Sequence, residues 1–95
     1  MSVVLAIDTA TSRTSVALIV EGKVKWSEFE DGATAHAEAV PRLVQKALAI
    51  ENNIAQVIVG MGPGPYTGLR AGISFAQAFA WARNCLLYTS DAADE

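Results

Sequence analysis

VVLAIDTATSRTSVALIVEGKVKWSEF, residues 3–29, is the stretch on which the fold turns. Val3 to Ile7 is a continuous apolar run that stops at Asp8, the pattern of a strand buried on both faces. TATSRT after it is a polar turn. Thr14 to Val20 is rich in β-branched residues and reads as a second strand. Glu21-Gly22-Lys23 is a short connection of the hairpin kind, and Val24 to Phe29 then alternates, with Val24, Trp26 and Glu28 opposite Lys25, Ser27 and Phe29. Three strands in succession joined by short turns make an antiparallel meander.

Beyond Asp31-Gly32 the period changes from two to that of a helix. Ala37, Val40, Val44, Ala47 and Leu48 recur at helical spacing between His36 and Ile50. Pro41 falls near the start of that segment, where a missing N–H is tolerated. Asn52-Asn53 ends it. Gln56 to Met61 is a further short strand, Gly62 to Gly68 a glycine- and proline-rich loop, and Leu69 to Ala82 a second helix. The order β-β-β-α-β-α is half of a mixed α/β fold.

Composition narrows the function classes. The chain has 95 residues, 52% hydrophobic and 18% charged, too apolar for intrinsic disorder. No apolar run reaches the roughly 18–20 residues of a bilayer crossing. MSVVLAIDTAT lacks a basic leader and carries Asp8, so no signal peptide is expected, and the chain reads as cytoplasmic. A single cysteine, Cys85, excludes a disulfide framework. Seven basic against ten acidic residues give no electrostatic footprint for nucleic acid.

CLLYTSDAADE, residues 85–95, departs from the pattern before it and resembles an in-frame translation of a transposase adapter used in sequencing libraries. It is expected to be a non-native tail on a truncated reading frame, leaving residues 1–84 as one incomplete lobe. Those residues carry seven acidic and seven basic groups, because Asp91, Asp94 and Glu95 lie in the tail.

Two constellations could carry chemistry. Asp8, with Thr9 and Thr11, stands at the carboxyl end of a buried strand, where ligands of α/β sheets gather. A carboxylate there can hold hydrated magnesium, with hydroxyls bonding phosphate; equally, Asp8 can cap its own turn. The loop GPGPYTGLR, residues 62–70, combines glycines that permit positive φ with stiffening prolines and a helix-capping Thr67. Its N–H groups could bind an anion, although the Walker A and dinucleotide patterns both fail. Arg70 would face solvent, a partner or an anion. The candidate nucleotide or anion set is therefore Asp8, Thr9, Thr11, Gly62, Gly64, Thr67 and Gly68.

The helix RAGISFAQAFAWAR, residues 70–83, has only Ser74 and Gln77 as polar residues between its arginines, and such a helix demands burial on nearly all sides. One sheet covers one face, so the other calls for more chain, a second copy or another protein. Ala71, Gly72, Ala76 and Ala80 would let a second helix come close. His36 reads as a cap or surface residue rather than a metal ligand, and Glu28, Glu30 and Asp31 as a solvated acidic cluster. No Ser-His-Asp or Cys-His set can be assembled, which leaves peptidase chemistry without a nucleophile or metal site.

AIDTATSRTSVAL and GMGPGPYTGLRAG, at their spacing, resemble the N-terminal lobe of the TsaB (YeaZ) family over residues 1 to about 84. Pro65-Tyr66 departs from the Ser-Phe of many members. The resemblance implies a ribonuclease-H-like lobe of the actin/Hsp70/sugar-kinase superfamily. It also implies a non-catalytic dimerization subunit that pairs with a TsaD-like catalytic subunit, with a TsaE-like ATPase associated, or forms a homodimer. The complex transfers a threonylcarbamoyl group to the adenosine beside the anticodon of tRNA, so tRNA is met only through the complex. The partner carries the metal and active site, this chain requires no cofactor, and ATP and magnesium enter only at the level of the complex. Pairing through the two long helices carries over to Ala37, Val40, Val44, Gly72, Phe75, Ala76 and Phe79 as interface or core. The competing expectation is an ATP-dependent phosphotransferase-type nucleotide-binding lobe using Asp8 and the 62–68 loop.

Overall fold

The computed structural model describes residues 2–32, 36–62 and 66–90. β1 (Val3–Asp8), β2 (Arg13–Val20) and β3 (Lys23–Asp31) form the expected meander. Its second turn is two residues long. Glu21 and Gly22 both take positive φ, 52° and 83°, and Val20 pairs with Lys23. That geometry matches the right-handed twist of the strands it joins. α1 (His36–Ile50), β4 (Gln56–Gly60) and α2 (Tyr66–Arg83) follow in the expected order. One further strand, β5 (Leu86–Ser90), lies in the segment that the sequence pattern set apart. It pairs in parallel with β4, and only Leu87 of it packs against the core.

The sheet runs β3-β2-β1-β4-β5, antiparallel on the meander side and parallel from β1 through β4 to β5. Alternation along each strand divides it into two faces. Val3, Leu5, Ile7, Val16, Leu18, Val57 and Val59 share one buried cluster with Val40, Leu43 and Val44 of α1 and Ala76 and Ala80 of α2. Both helices therefore cover the same face. The interleaved Val4, Ala6, Ala17, Ile19 and Ile58 belong to the opposite face and are half-buried.

Two local expectations are corrected. Pro41 is the sixth residue of α1, past the first turn, so it removes one intrahelical bond; its ring is exposed and the helix continues through it. α2 starts at Tyr66, three residues before the expected Leu69, because Gly68 belongs to its first turn and not to the loop. Its far end is a Schellman motif. Asn84 takes a left-handed φ of 57°, the Asn84 N–H donates to Trp81 O at 3.3 Å and the Cys85 N–H to Ala80 O at 2.9 Å. The chain thereby turns directly into β5.

The acidic cluster is not merely solvated. Lys46 reaches Glu28 at 2.5 Å, Arg42 reaches Glu30 at 2.6 Å and Arg13 reaches Asp31 at 3.0 Å. The hydrogen bond from the Arg42 guanidinium holds the Glu30 carboxyl below the usual carboxylate range; desolvation opposes this, and the charges of Arg42 and Lys46 support it. A carboxylate with a lowered folded-state pKa stabilises the chain above its ordinary pKa, and the gain disappears as pH falls through the lowered value. Glu30→Gln is accordingly expected to flatten the acid limb of stability against pH, with little change in its shape above pH ~6. Urea midpoints measured across that range check it.

Candidate functional site

Asp8 ends β1 and faces away from the helices, while its neighbours Ile7 and Thr9 both turn to the covered side. Its carboxylate is exposed on the side away from the helices, where Oδ1 accepts the Ala10 N–H at 2.8 Å in an Asx-type turn. Gly60 of β4 lies beneath it, and a Cβ at Gly60 would sit 2.9 Å from the carboxylate. Asp8 overlooks a cleft of about 330 Å³ floored by Ala6, Ala17 and Ile58, with Phe29, Ser15, Ser27, Gly60 and Ser90 around it.

Thr9 faces the other way and is fully buried. Its Oγ1 donates to Gly68 O in the first turn of α2 at 2.5 Å. Strand alternation thus separates two residues of the expected anion set. Thr9 is a tie between β1 and α2, and its hydroxyl is unavailable to a ligand in the cleft. Thr11 is exposed; its Oγ1 accepts the Arg13 N–H at 3.1 Å, closing the turn.

The glycine loop divides in the same manner. Gly62 is buried with a φ of 108°, a conformation that favours glycine. Gly64 and the Thr67 side chain lie outside what the structure describes, and α2 begins one residue before Thr67. Gly68 and Gly72, one turn apart, present bare backbone to Thr9. A Cβ at Gly68 would be 2.9 Å from Thr9 O, and one at Gly72 would be 2.7 Å from Thr9 Oγ1. These glycines seat α2 on the β1–β2 turn.

His36, the first residue of α1, completes this junction and is buried, contrary to the surface reading. Nε2 lies 2.9 Å from Thr11 O and Nδ1 2.5 Å from Thr14 Oγ1. A carbonyl can only accept, so Nε2 carries the proton; in the neutral ring Nδ1 then accepts from the Thr14 hydroxyl. Its role was not visible in the sequence, because all its partners lie 22 or more residues away.

Of the residues lining the cleft, Asp8 brings a carboxylate and none is a lysine or arginine, while Glu28 turns its carboxylate to Lys46 of α1. Among the described residues, no group of three or more His, Cys, Asp or Glu could hold a metal ion. Strand alternation leaves Asp8 and Thr9, expected to act together, on opposite sides of the sheet.

The helices present a different feature. Of the residues expected at a partner interface, Val40, Val44, Gly72 and Ala76 are buried in the chain's own core, which takes them out of reach. Ala37 is exposed. Phe75 and Phe79 are half-buried and stack at 5.9 Å, with the Arg83 guanidinium 5.1 Å above Phe79. The sheet covers one face of α2, as expected, and Ser74, Gln77, Ala78, Trp81 and Ala82 on the other face outward. Trp81 is 87% exposed. No helix is long and apolar enough to cross a membrane among the described residues.

A family model described as TsaD, tRNA N6-adenosine threonylcarbamoyltransferase, matches residues 30–89. The tRNA threonylcarbamoyladenosine biosynthesis protein TsaB of Escherichia coli K12 is 40% identical over 81 residues, which cover 81% of this chain and 35% of that protein. The structure of YeaZ from Pseudomonas aeruginosa superposes with a TM-score of 0.86 at 32% identity, covering 96% of this chain and 44% of that one. Thermus thermophilus RuvC shares the fold alone, with a TM-score of 0.63 at 15% identity over 94% of this chain and 63% of its own. The chain spans less than half the length of the curated relatives it matches.

Proposed function

Because this chain belongs to the TsaD family, as a TsaB/YeaZ-like member, we propose that it acts in threonylcarbamoyladenosine modification of tRNA as a non-catalytic scaffold. On this reading it pairs with a TsaD-like catalytic subunit in the cytoplasm, with a TsaE-like ATPase joining the complex. The tRNA, ATP and magnesium are met through that complex.

The observation that carries the reading is Trp81. A tryptophan standing 87% exposed on a helix of mostly apolar and small residues supports a protein-binding face, since buried aromatic anchors dominate such interfaces. Ala78 and Ala82 beside it are small enough for close approach. The half-buried Phe75 and Phe79 widen the apolar surface.

Light scattering on a one-to-one mixture with a TsaD-like subunit tests it. A heterodimer is expected, and Trp81→Ala is expected to weaken it by about tenfold or more while leaving the circular dichroism of the chain unchanged. Both proteins remaining at monomer mass, or a Trp81→Ala variant that binds as tightly, would refute the reading. A mass of two copies of this chain, unchanged by the partner, would assign the face to a homodimer.

A further inference from the structure

β3 is one edge of the sheet, and it is anchored differently from β1, β2 and β4. Of its nine residues only Trp26, Glu28 and Glu30 are half-buried; the rest are exposed. Lys25 interrupts the ladder, since Leu18 pairs with Trp26 and Ile19 with Val24. Beyond the β2 ladder, Trp26 alone of β3's hydrophobic residues packs against the core, and charge holds the rest of the strand. Arg42 Nε and Nη2 reach Glu30 at 3.0 and 2.6 Å, and Lys46 Nζ reaches Glu28 at 2.5 Å. Arg42 and Lys46 are one helical turn apart on α1, and Glu28 and Glu30 are successive residues on one face of β3, so the pairs form a row. Lys25 Nζ meets Glu51 just past α1 at 3.0 Å, and Arg13 of β2 meets Asp31 at 3.0 Å.

We propose that β3 is a salt-releasable edge, opening from β2 as a unit ahead of the core, with the ion pairs to α1 and its flank setting how often it opens. Exposed pairs contribute modestly one by one and are screened by salt. Here several act on a strand that buries little else, so their combined loss falls on one local equilibrium. β1 and β4 differ, because their alternate residues are fully buried and each is flanked by strands on both sides. Ionic strength thereby sets how often the β2 edge is exposed.

Native-state hydrogen exchange on the whole 95-residue chain, at one pH in about 50 mM and about 1 M sodium chloride, reads this directly. The β3 amides that bond β2 are expected to exchange about fivefold faster in high salt, with the amides of Leu5 and Val57 unchanged. In the double variant Glu28→Gln/Glu30→Gln they should exchange fast in both buffers and lose most of the salt response. The substituted side chains lie on the surface of an edge strand, so the core amides report that the variant is folded. β3 amides that exchange only together with Leu5 and Val57, or a salt response that survives both substitutions, would overturn the proposal.

Discussion

Alanine at Gly68 or at Gly72 is expected to destabilise this chain by about 2 kcal/mol, even though both positions lie inside a helix. Helix propensity alone gives the opposite sign, since alanine is favoured over glycine by about 1 kcal/mol in a helix interior. Packing decides the outcome. At Gly68 the added methyl would lie 2.9 Å from the backbone carbonyl of Thr9 and 3.3 Å from the His36 ring, and a backbone atom in a sheet-end turn cannot step aside. At Gly72 it would lie 2.7 Å from Thr9 Oγ1. Thr9 is fully buried and its hydroxyl is bonded to Gly68 O, so it can move only by losing that bond. Overpacking of this kind costs about 1–3 kcal/mol, and the broken buried hydrogen bond adds about 1 more. Urea unfolding of the two variants measures the sign. Thr9→Ala combined with Gly72→Ala should cost less than the sum of the two single changes, because the colliding atoms are gone. A stabilised Gly72→Ala would show that α2 does not rest on Thr9.

The second large effect is expected at His36, where alanine should cost about 3 kcal/mol. The ring fills space against Gly68 and satisfies Thr14, which is only 1% exposed. Removing it leaves a void, and it strands the buried Thr14 hydroxyl and the Thr11 carbonyl. A cavity and an unpaired buried polar group each cost on the order of 1–3 kcal/mol. Thr14→Val removes the other end of one bond without opening a void and should cost about 1–2 kcal/mol. The double variant should cost less than the two summed, by about 1 kcal/mol, since the hydroxyl that His36→Ala strands is already absent. Additive losses would mean that the ring acts by its bulk alone.

These two results bear on the proposed function through one junction. Thr9 and Thr11 of the β1–β2 turn and Thr14 of β2 hold the first turns of both helices, and the same α2 carries Trp81 at its far end. Gly68 and Gly72 thus serve the placement of the helix face.

Where reading the residues succeeded, the signal was local. The strands of the meander, the Glu21-Gly22 turn and α1 from His36 to Ile50 follow from periods of two and 3.6 and from the turn residues between them. The order of elements from β1 to α2 follows from the same patterns, whereas β5 was not expected. The motifs around Asp8 and Gly62–Gly72 pointed to the family that the comparisons support. Where it fell short, the deciding contact was remote. Thr9 and Gly68 are 59 residues apart, and His36 stands 25 from Thr11. No window along the chain contains both members of either pair. A threonine beside an aspartate at a strand end reads the same whether its hydroxyl meets a ligand or a helix, and a glycine beside prolines reads as loop until something packs on it. The side of the sheet on which the helices lie made that choice. It turned Thr9 inward and Asp8 outward, buried Val40, Val44 and Ala76 and left Trp81 in solvent. Local sequence determined which elements form and in what order, because backbone geometry and side-chain period act over a few residues. Tertiary structure determined which residues remain available to a partner, because burial is fixed only when distant segments meet.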